Sequence, residues 1–327
     1  MNLLLSDEQR ELGSVAKAFL STVSPRDGYV QAVYERLNGE LGLGGLIVPE
    51  DCGGSGAGYA DLAVVLEEAG AALLPGPFLS TVFAAIVLRE LGEKEHLTAI
   101  ASGVPATVGP LWGGGITATD GTLTGEALFL NGAEADLVLV ITAEGVFTAQ
   151  GTVSPVDALD ITRSQARISF GGEPAVALGA LPARALDLIA VALAAEQLGV
   201  IRAALAAIVE YGKVRVAFGR AIGSYQGVKH KLADLHCALE QAESIVRYAA
   251  WTADEAPDEL PTAAALSQAY LGRACFQAAK DSLLLHGGIG FTWEHDAHIY
   301  YKRAKSDEVL LGPSRIHRAK LADLLEL

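Results

Sequence analysis

Apolar positions in the first hundred residues recur at three- and four-residue steps, the period of an amphipathic helix. Leu12, Val15, Ala16, Phe19 and Leu20 share one face, and Ser6 followed by Gln9 has the spacing of a capping box. A break near Pro25 precedes a second helical stretch that ends in a glycine-rich run over 41–45. Leu62, Val65, Leu66 and Ala69 give an inward face to a helix over about 59–71. Near Pro105 the texture changes. Thr, Val and Gly become dense, turn pairs such as Asp120-Gly121 and Asn131-Gly132 separate short apolar runs, and 135–142 is nearly continuous Leu, Val and Ile. This predicts a small β domain. Helical periodicity returns from Pro182. Residues 186–211 contain no proline and only Gly199 as a breaker, enough for roughly 40 Å of helix at ~1.5 Å per residue. Val228, Leu232, Leu235, Leu239, Ala242, Val246 and Ala249 mark the next helix. An acidic connection over 254–261 leads to a third, ending at Gly287-Gly288, and a last helix begins near Asp296. The expected fold class is α+β: a helical domain over 1–104, a β domain over 105–181 and a four-helix bundle over 182–327.

Composition narrows this. The 327 residues are 51% hydrophobic and 19% charged, which fits a tightly packed protein that buries further surface in an oligomer. A net charge of −15 argues against nucleic acid as a partner, yet a few local arginines can still hold an anionic cofactor. The three cysteines, Cys52, Cys237 and Cys275, form no CxxC pair, which reads as reduced thiols in a cytoplasmic protein. Residues 1–8 lack the basic start of a signal peptide and turn acidic at once. The most apolar region, 186–205, is interrupted by Asp187, Glu196, Gln197 and Arg202, so it reads as a bundle helix and not a membrane span.

Particular residues carry more. Arg215-Val216-Ala217-Phe218-Gly219 is followed by Gln226, and His286-Gly287-Gly288-Ile289-Gly290-Phe291 makes a glycine-rich turn. Val48-Pro49-Glu50, Gly53-Gly54-Ser55-Gly56 and Leu159-Asp160-Ile161-Thr162-Arg163 add further matches. Together these resemble the acyl-CoA dehydrogenase family over essentially the whole chain. The resemblance implies FAD as cofactor and an acyl-CoA thioester as substrate. It also implies that Arg215 contacts the FAD pyrophosphate, Phe218 packs near the adenine and Gln226 bonds the ADP part. Gly287 and Gly288 let backbone approach the cofactor. A guanidinium suits the first role because it offers a planar fork of donors to phosphate oxygens. In the family these contacts reach across a dimer interface to the neighbouring subunit's flavin.

The same residues have duller readings. A helical arginine is usually a solvated charge. The run from Gly53 to Gly58 does not fit GxGxxG and reads as a loop. His295 and His298, with Asp296, lack a further ligand set for a metal and read as exposed helix positions. His286 has no nucleophile elbow to accompany it.

Three departures from the family pattern carry most of the functional information. The family reaction removes an α proton with a carboxylate while hydride leaves the β carbon for the flavin. The usual base follows a Tyr-Arg-x-Ala-Lys helix; here Tyr301-Lys302-Arg303-Ala304-Lys305 aligns, and the base position falls on Leu311. The alternative position, after Leu186-Asp187-Leu188, holds Ile189-Ala190. Glu196, Glu240 and Glu308 remain as candidates for a relocated base, against a reading as ion pairs or caps. Second, residues 106–120 lack the Thr-Glu-Pro and Gly-Ser stretch that holds the flavin ring, and the β domain is short. Third, Leu284 stands where a Gln is usual. The resemblance therefore narrows to the short, base-less subunits of bacterial heteromeric (α2β2) acyl-CoA dehydrogenases of steroid side-chain degradation. There a full-length partner holds FAD and the base. The rival expectations are a self-sufficient homo-oligomeric dehydrogenase with a relocated Glu, and a flavin-free acyl-CoA-binding or scaffold protein.

Overall fold

The computed structural model describes residues 3–327; Met1 and Asn2, the start of the N-terminal stretch read above, lie outside them. Five helices come first: α1 (Asp7–Leu20), α2 (Gln31–Leu41), α3 (Tyr59–Ala71), α4 (Phe78–Leu91) and α5 (Lys94–Ala101). The expected capping box starts α1. The Gln9 N–H donates to Ser6 Oγ at 3.1 Å, and the Ser6 N–H donates to Gln9 Oε1 at 3.0 Å.

Seven strands follow: β1 (Ala106–Gly109), β2 (Ile116–Thr119), β3 (Thr122–Leu130), β4 (Leu137–Ile141), β5 (Val146–Ala149), β6 (Thr152–Val156) and β7 (Gln165–Gly179). They form one sheet in the order β1-β4-β5-β7-β3-β2, with β6 also paired to β7. Only β1 and β4 run parallel. The 15-residue β7 pairs with β3 and β6 along its first part and with β5 along its second, so the sheet curls around it. Leu123, Phe129, Val140, Phe147, Ile168 and Phe170 fill the inside. Asp120 and Gly121 both take left-handed backbone in the β2–β3 hairpin, as the turn pair predicts.

The C-terminal part holds α6 (Ala183–Val214), the hairpin strands β8 (Val216–Ala217) and β9 (Arg220–Ala221), α7 (Gln226–Glu255), α8 (Leu260–His286), α9 (Ala297–Leu310) and α10 (Ser314–Leu324). The last helix expected from Asp296 is thus two helices. They are broken at Gly312 (φ 87) and Pro313, because left-handed backbone followed by a proline ends the α9 ladder.

The 32-residue α6 is the axis of the molecule, packed against α3, α7 and α8. It is long and apolar enough to cross a membrane, but 89% of its most apolar window is buried inside the protein. Its mid-helix Gly199 is a contact and not a break. A Cβ on Gly199 would lie 1.8 Å from the Glu67 carbonyl oxygen, and one on Gly70 of α3 would lie 2.0 Å from that of Glu196. Two missing side chains let α3 and α6 cross at backbone distance.

Candidate functional site

One edge of the bundle gathers the residues of the Arg-x-x-Phe-Gly segment. Arg215 caps the C-terminus of α6, its N–H donating to the Tyr211 carbonyl at 2.9 Å, and its side chain is exposed. It makes no ion pair among the described residues, unlike most arginines of this acidic chain. Beyond it, β8 and β9 form a two-residue hairpin whose tip is Phe218 (φ 51) and Gly219 (φ 81). Two left-handed residues suit a hairpin tip, but a phenylalanine pays steric strain there of about 1–2 kcal/mol. Its ring is 98% exposed. Nothing among the described residues rewards either the strain or the exposure.

The hairpin is held firmly from below. Tyr225 Oη donates to the Ala217 carbonyl at 2.8 Å, the Arg220 guanidinium lies 3.9 Å from the Tyr225 ring centroid, and the Ile222 N–H donates to the Arg215 carbonyl at 2.8 Å. Gln226 opens α7 with an exposed side chain whose Nε2 is 3.1 Å from His230 Nε2.

The glycine turn is tied to the same edge by an aromatic stack. Tyr211, one helical turn before Arg215, lies 4.7 Å between ring centroids from His286, and His286 lies 4.3 Å from His295. His286 Nδ1 donates to the Ser282 carbonyl at 2.7 Å, and burial pushes its pKa down. Gly287 needs its left-handed φ of 67°, while a Cβ on Gly288 would meet nothing within 4 Å, so nothing in this chain itself demands glycine there. The structure thus brings Arg215, Phe218, Gln226 and the Gly287-Gly288 turn to one exposed edge. It also corrects the expectation that His295 and His298 are exposed. His298, on the first turn of α9, is buried with Trp293 edge-on at 4.7 Å, and His295, in the turn before α9, is half-buried against His286. No group of three or more His, Cys, Asp or Glu gathers among the described residues.

Leu311 belongs to a different place. It ends α9 with 9% of its surface exposed, beside a cleft of about 190 Å³ between α9 and the strands. Val108, Leu128, Phe129 and Leu130 line one side, Val309 and Leu310 the other, and the polar side chains are Gln165 and Ser306. Trp112, from the loop between β1 and β2, closes part of this space. Its indole lies so near Gly312 that a Cβ there would come within 2.7 Å of it.

The three remaining carboxylates differ. Glu196 is buried, with Oε1 accepting from Arg303 at 2.7 Å and Oε2 from Arg163 at 2.9 Å. Both oxygens are occupied by guanidinium groups, so Glu196 is structural. Glu240 is exposed on α7 with His236 3.9 Å away, and Glu308 pairs with Lys305 at 2.7 Å. Neither lines the cleft at Leu311. Sequence reasoning missed Trp112. Its only signal was a large aromatic next to three glycines, and a sequence pattern does not say which backbone such a ring will cover.

Comparison with known proteins identifies the family. The acyl-CoA dehydrogenase N-terminal domain matches residues 6–109, and the acyl-CoA dehydrogenase C-terminal domain matches 180–325. Acyl-CoA dehydrogenase IpdE2 of Mycolicibacterium smegmatis is 36% identical over 88% of this chain and 86% of its own length. A solved variant of the Tcur3481-Tcur3483 steroid ACAD is 27% identical, covers 98% of each chain and superposes with a TM-score of 0.85. The ChsE4-ChsE5 complex from Mycobacterium tuberculosis, at 23% identity and a TM-score of 0.86 over 100% of this chain and 99% of that one, shares the fold. This chain belongs to the acyl-CoA dehydrogenase family of FAD-dependent oxidoreductases.

Proposed function

We propose that this chain is the base-less subunit of a heteromeric acyl-CoA dehydrogenase, completing from across an interface the FAD site of a full-length partner in an α2β2 assembly. The observation that carries the reading is the exposed Phe218 hairpin beside the unpaired Arg215. A strained, solvent-facing phenylalanine and a free guanidinium on a well-braced edge suit a ligand presented by another molecule. The fit to FAD is good here. The Arg215 fork can donate to the diphosphate, the Phe218 ring can cover the adenine, and the open Gly287-Gly288 turn leaves backbone accessible.

The cleft at Leu311 does not fit the cofactor. A flavin ring needs several hydrogen-bond partners for its carbonyl oxygens and ring nitrogens, and this cleft offers the side chains of Gln165 and Ser306 while Trp112 takes up its space. Bound FAD supplies the acceptor for the hydride leaving the β carbon of the thioester. The proton leaving the α carbon needs a carboxylate, and Leu311 provides none. In this reading the chain binds and orients, and the partner performs the proton transfer. The steroid ACAD relative supports a steroid-derived acyl-CoA as substrate.

The test is the visible spectrum of the chain expressed alone and then with a full-length dehydrogenase partner. The chain alone is expected to be nearly colourless, and the complex to carry flavin. Near-stoichiometric flavin in the chain alone would instead favour a self-sufficient homo-oligomer. No flavin with any partner would favour a scaffold protein that binds acyl-CoA or nothing.

A further inference from the structure

Five charged side chains meet in the interior where the sheet joins the helices. Asp160 and Arg163 come from the strap that leads into β7, Glu196 from α6, and Arg303 and Asp307 from α9. Each is at most 3% exposed. Arg303 Nε donates to Asp160 Oδ2 at 2.7 Å and its Nη1 to Glu196 Oε1 at 2.7 Å. Arg163 donates to Glu196 Oε2 at 2.9 Å and to Asp307 Oδ1. Thr162 donates its hydroxyl and its N–H to Asp160 Oδ1 at 2.5 and 2.9 Å.

The charges do not balance. Three carboxylates face two guanidinium groups, so full ionisation would leave one uncompensated negative charge in a buried joint, a costly state. The remaining neighbours cannot offset it. Gln197 of α6 is neutral, its Nε2 reaching the Asp307 carbonyl at 3.4 Å, and burial pushes the Cys275 thiol of α8 up, keeping it neutral too. One oxygen in the cluster is left over: Asp307 Oδ2 is buried with no hydrogen-bond partner, as is the neighbouring Gln197 Oε1. A bare carboxylate oxygen in that position is the worst placed of the six for a charge and the best placed for a proton.

We propose that this joint holds one proton on Asp307 below neutral pH and acts as a pH-sensitive clasp between the sheet and the helices α6 and α9. Loss of the proton leaves the unbalanced charge in place and loosens the clasp. The effect reaches the cleft directly, because Ser306, Val309 and Leu310 of the same helix line it and Leu311 lies one turn beyond.

The titration sense agrees. Burial raises the Asp307 pKa from 3.8 to about 7, with Glu196 pushing the same way against the two arginines. At Asp160 burial also works against ionisation, but Arg303 and Arg163 outweigh it and hold that carboxyl below its usual range. For Asp307 the folded pKa lies above the unfolded one. Its contribution to stability is therefore complete below about pH 4 and is lost as pH rises through the folded value near 7.

The test compares urea unfolding of the full chain with that of Asp307→Asn between about pH 5.5 and 8.5. Asn keeps an acceptor for Arg163 and places a donor where the proton sits. Each unmatched proton changes the unfolding constant by up to about tenfold per pH unit. The wild-type unfolding constant is therefore expected to rise at least tenfold relative to the variant between pH 5.5 and 7, and the ratio to level off above pH 7. Parallel pH profiles for the two proteins would overturn the proposal. Infrared spectra of wild-type protein labelled at aspartate carboxyl carbons decide the matter if the variant does not fold. A protonated-carboxyl band at pH 6 that fades by pH 8.5 supports the clasp, and its absence at pH 6 refutes it.

Discussion

The exposed edge at Arg215 and the cleft beside Leu311, the two places to which the family resemblance points, have opposite characters. The edge is polar, braced and open: a free guanidinium, a strained aromatic at a hairpin tip and a glycine turn with empty space above it. The cleft is apolar, narrowed by the indole over Gly312 and ends in leucine. Both are built on well-packed helices, so neither looks like decay of the fold. On the reading proposed above, a cofactor site shared between subunits loses one half without loss of the other, because the two halves stand on different elements and are constrained by different contacts.

The sharpest way to break this comparison is to move the base. In an assembled complex, replacing the partner's catalytic carboxylate is expected to lower turnover by ~10²–10⁴-fold, the usual contribution of general-base catalysis. Glu240→Gln or Glu308→Gln in this chain is expected to stay within about tenfold of wild type, or ~1.4 kcal/mol. If either substitution abolished turnover with flavin still bound, the base would lie here.

The edge can be tested by its strongest charge. Arg215→Ala is expected to weaken FAD retention in the complex by roughly 1.5–3 kcal/mol, the range for a hydrogen bond to a charged group. Denaturation of the chain alone should hardly change, since Arg215 is exposed and unpaired there. Equal flavin retention in both complexes would show that Arg215 does not face the diphosphate.

Phe218 separates the chain's own needs from those of its partner. Phe218→Asn relieves left-handed strain, and should stabilise the isolated chain by about 1 kcal/mol in a denaturant titration while weakening flavin retention in the complex. A variant that lost stability alone would place the ring in this chain's own packing. The smallest effect is expected at Leu311. Leu311→Glu alone should yield no measurable dehydrogenation by the isolated chain, because a carboxylate cannot act where no flavin sits. Turnover in that single variant would mean the cleft holds the cofactor after all.

Much of this was legible in the chain. Periodicity and turn pairs marked α3, α6 and the β2–β3 hairpin, because helix and strand place side chains at periods of 3.6 and 2. The Arg-x-x-Phe-Gly segment and the glycine turn were recognisable because each is local, carried by a few neighbours in sequence. The expectation at Leu311 is local in the same way, since a leucine carries no proton acceptor wherever it folds.

The sequence by itself determined the family and the order of a helical part, a β part and a second helical part. Only the tertiary structure decided that Phe218 stands in solvent, that Trp112 rests on Gly312, that Gly199 is a helix crossing, and that Glu196 is locked between Arg163 and Arg303. These are contacts between residues 33 to 200 positions apart. Burial and charge balance are sums over everything that meets at a point in space, and no local pattern records which distant carboxylates will share two guanidinium groups.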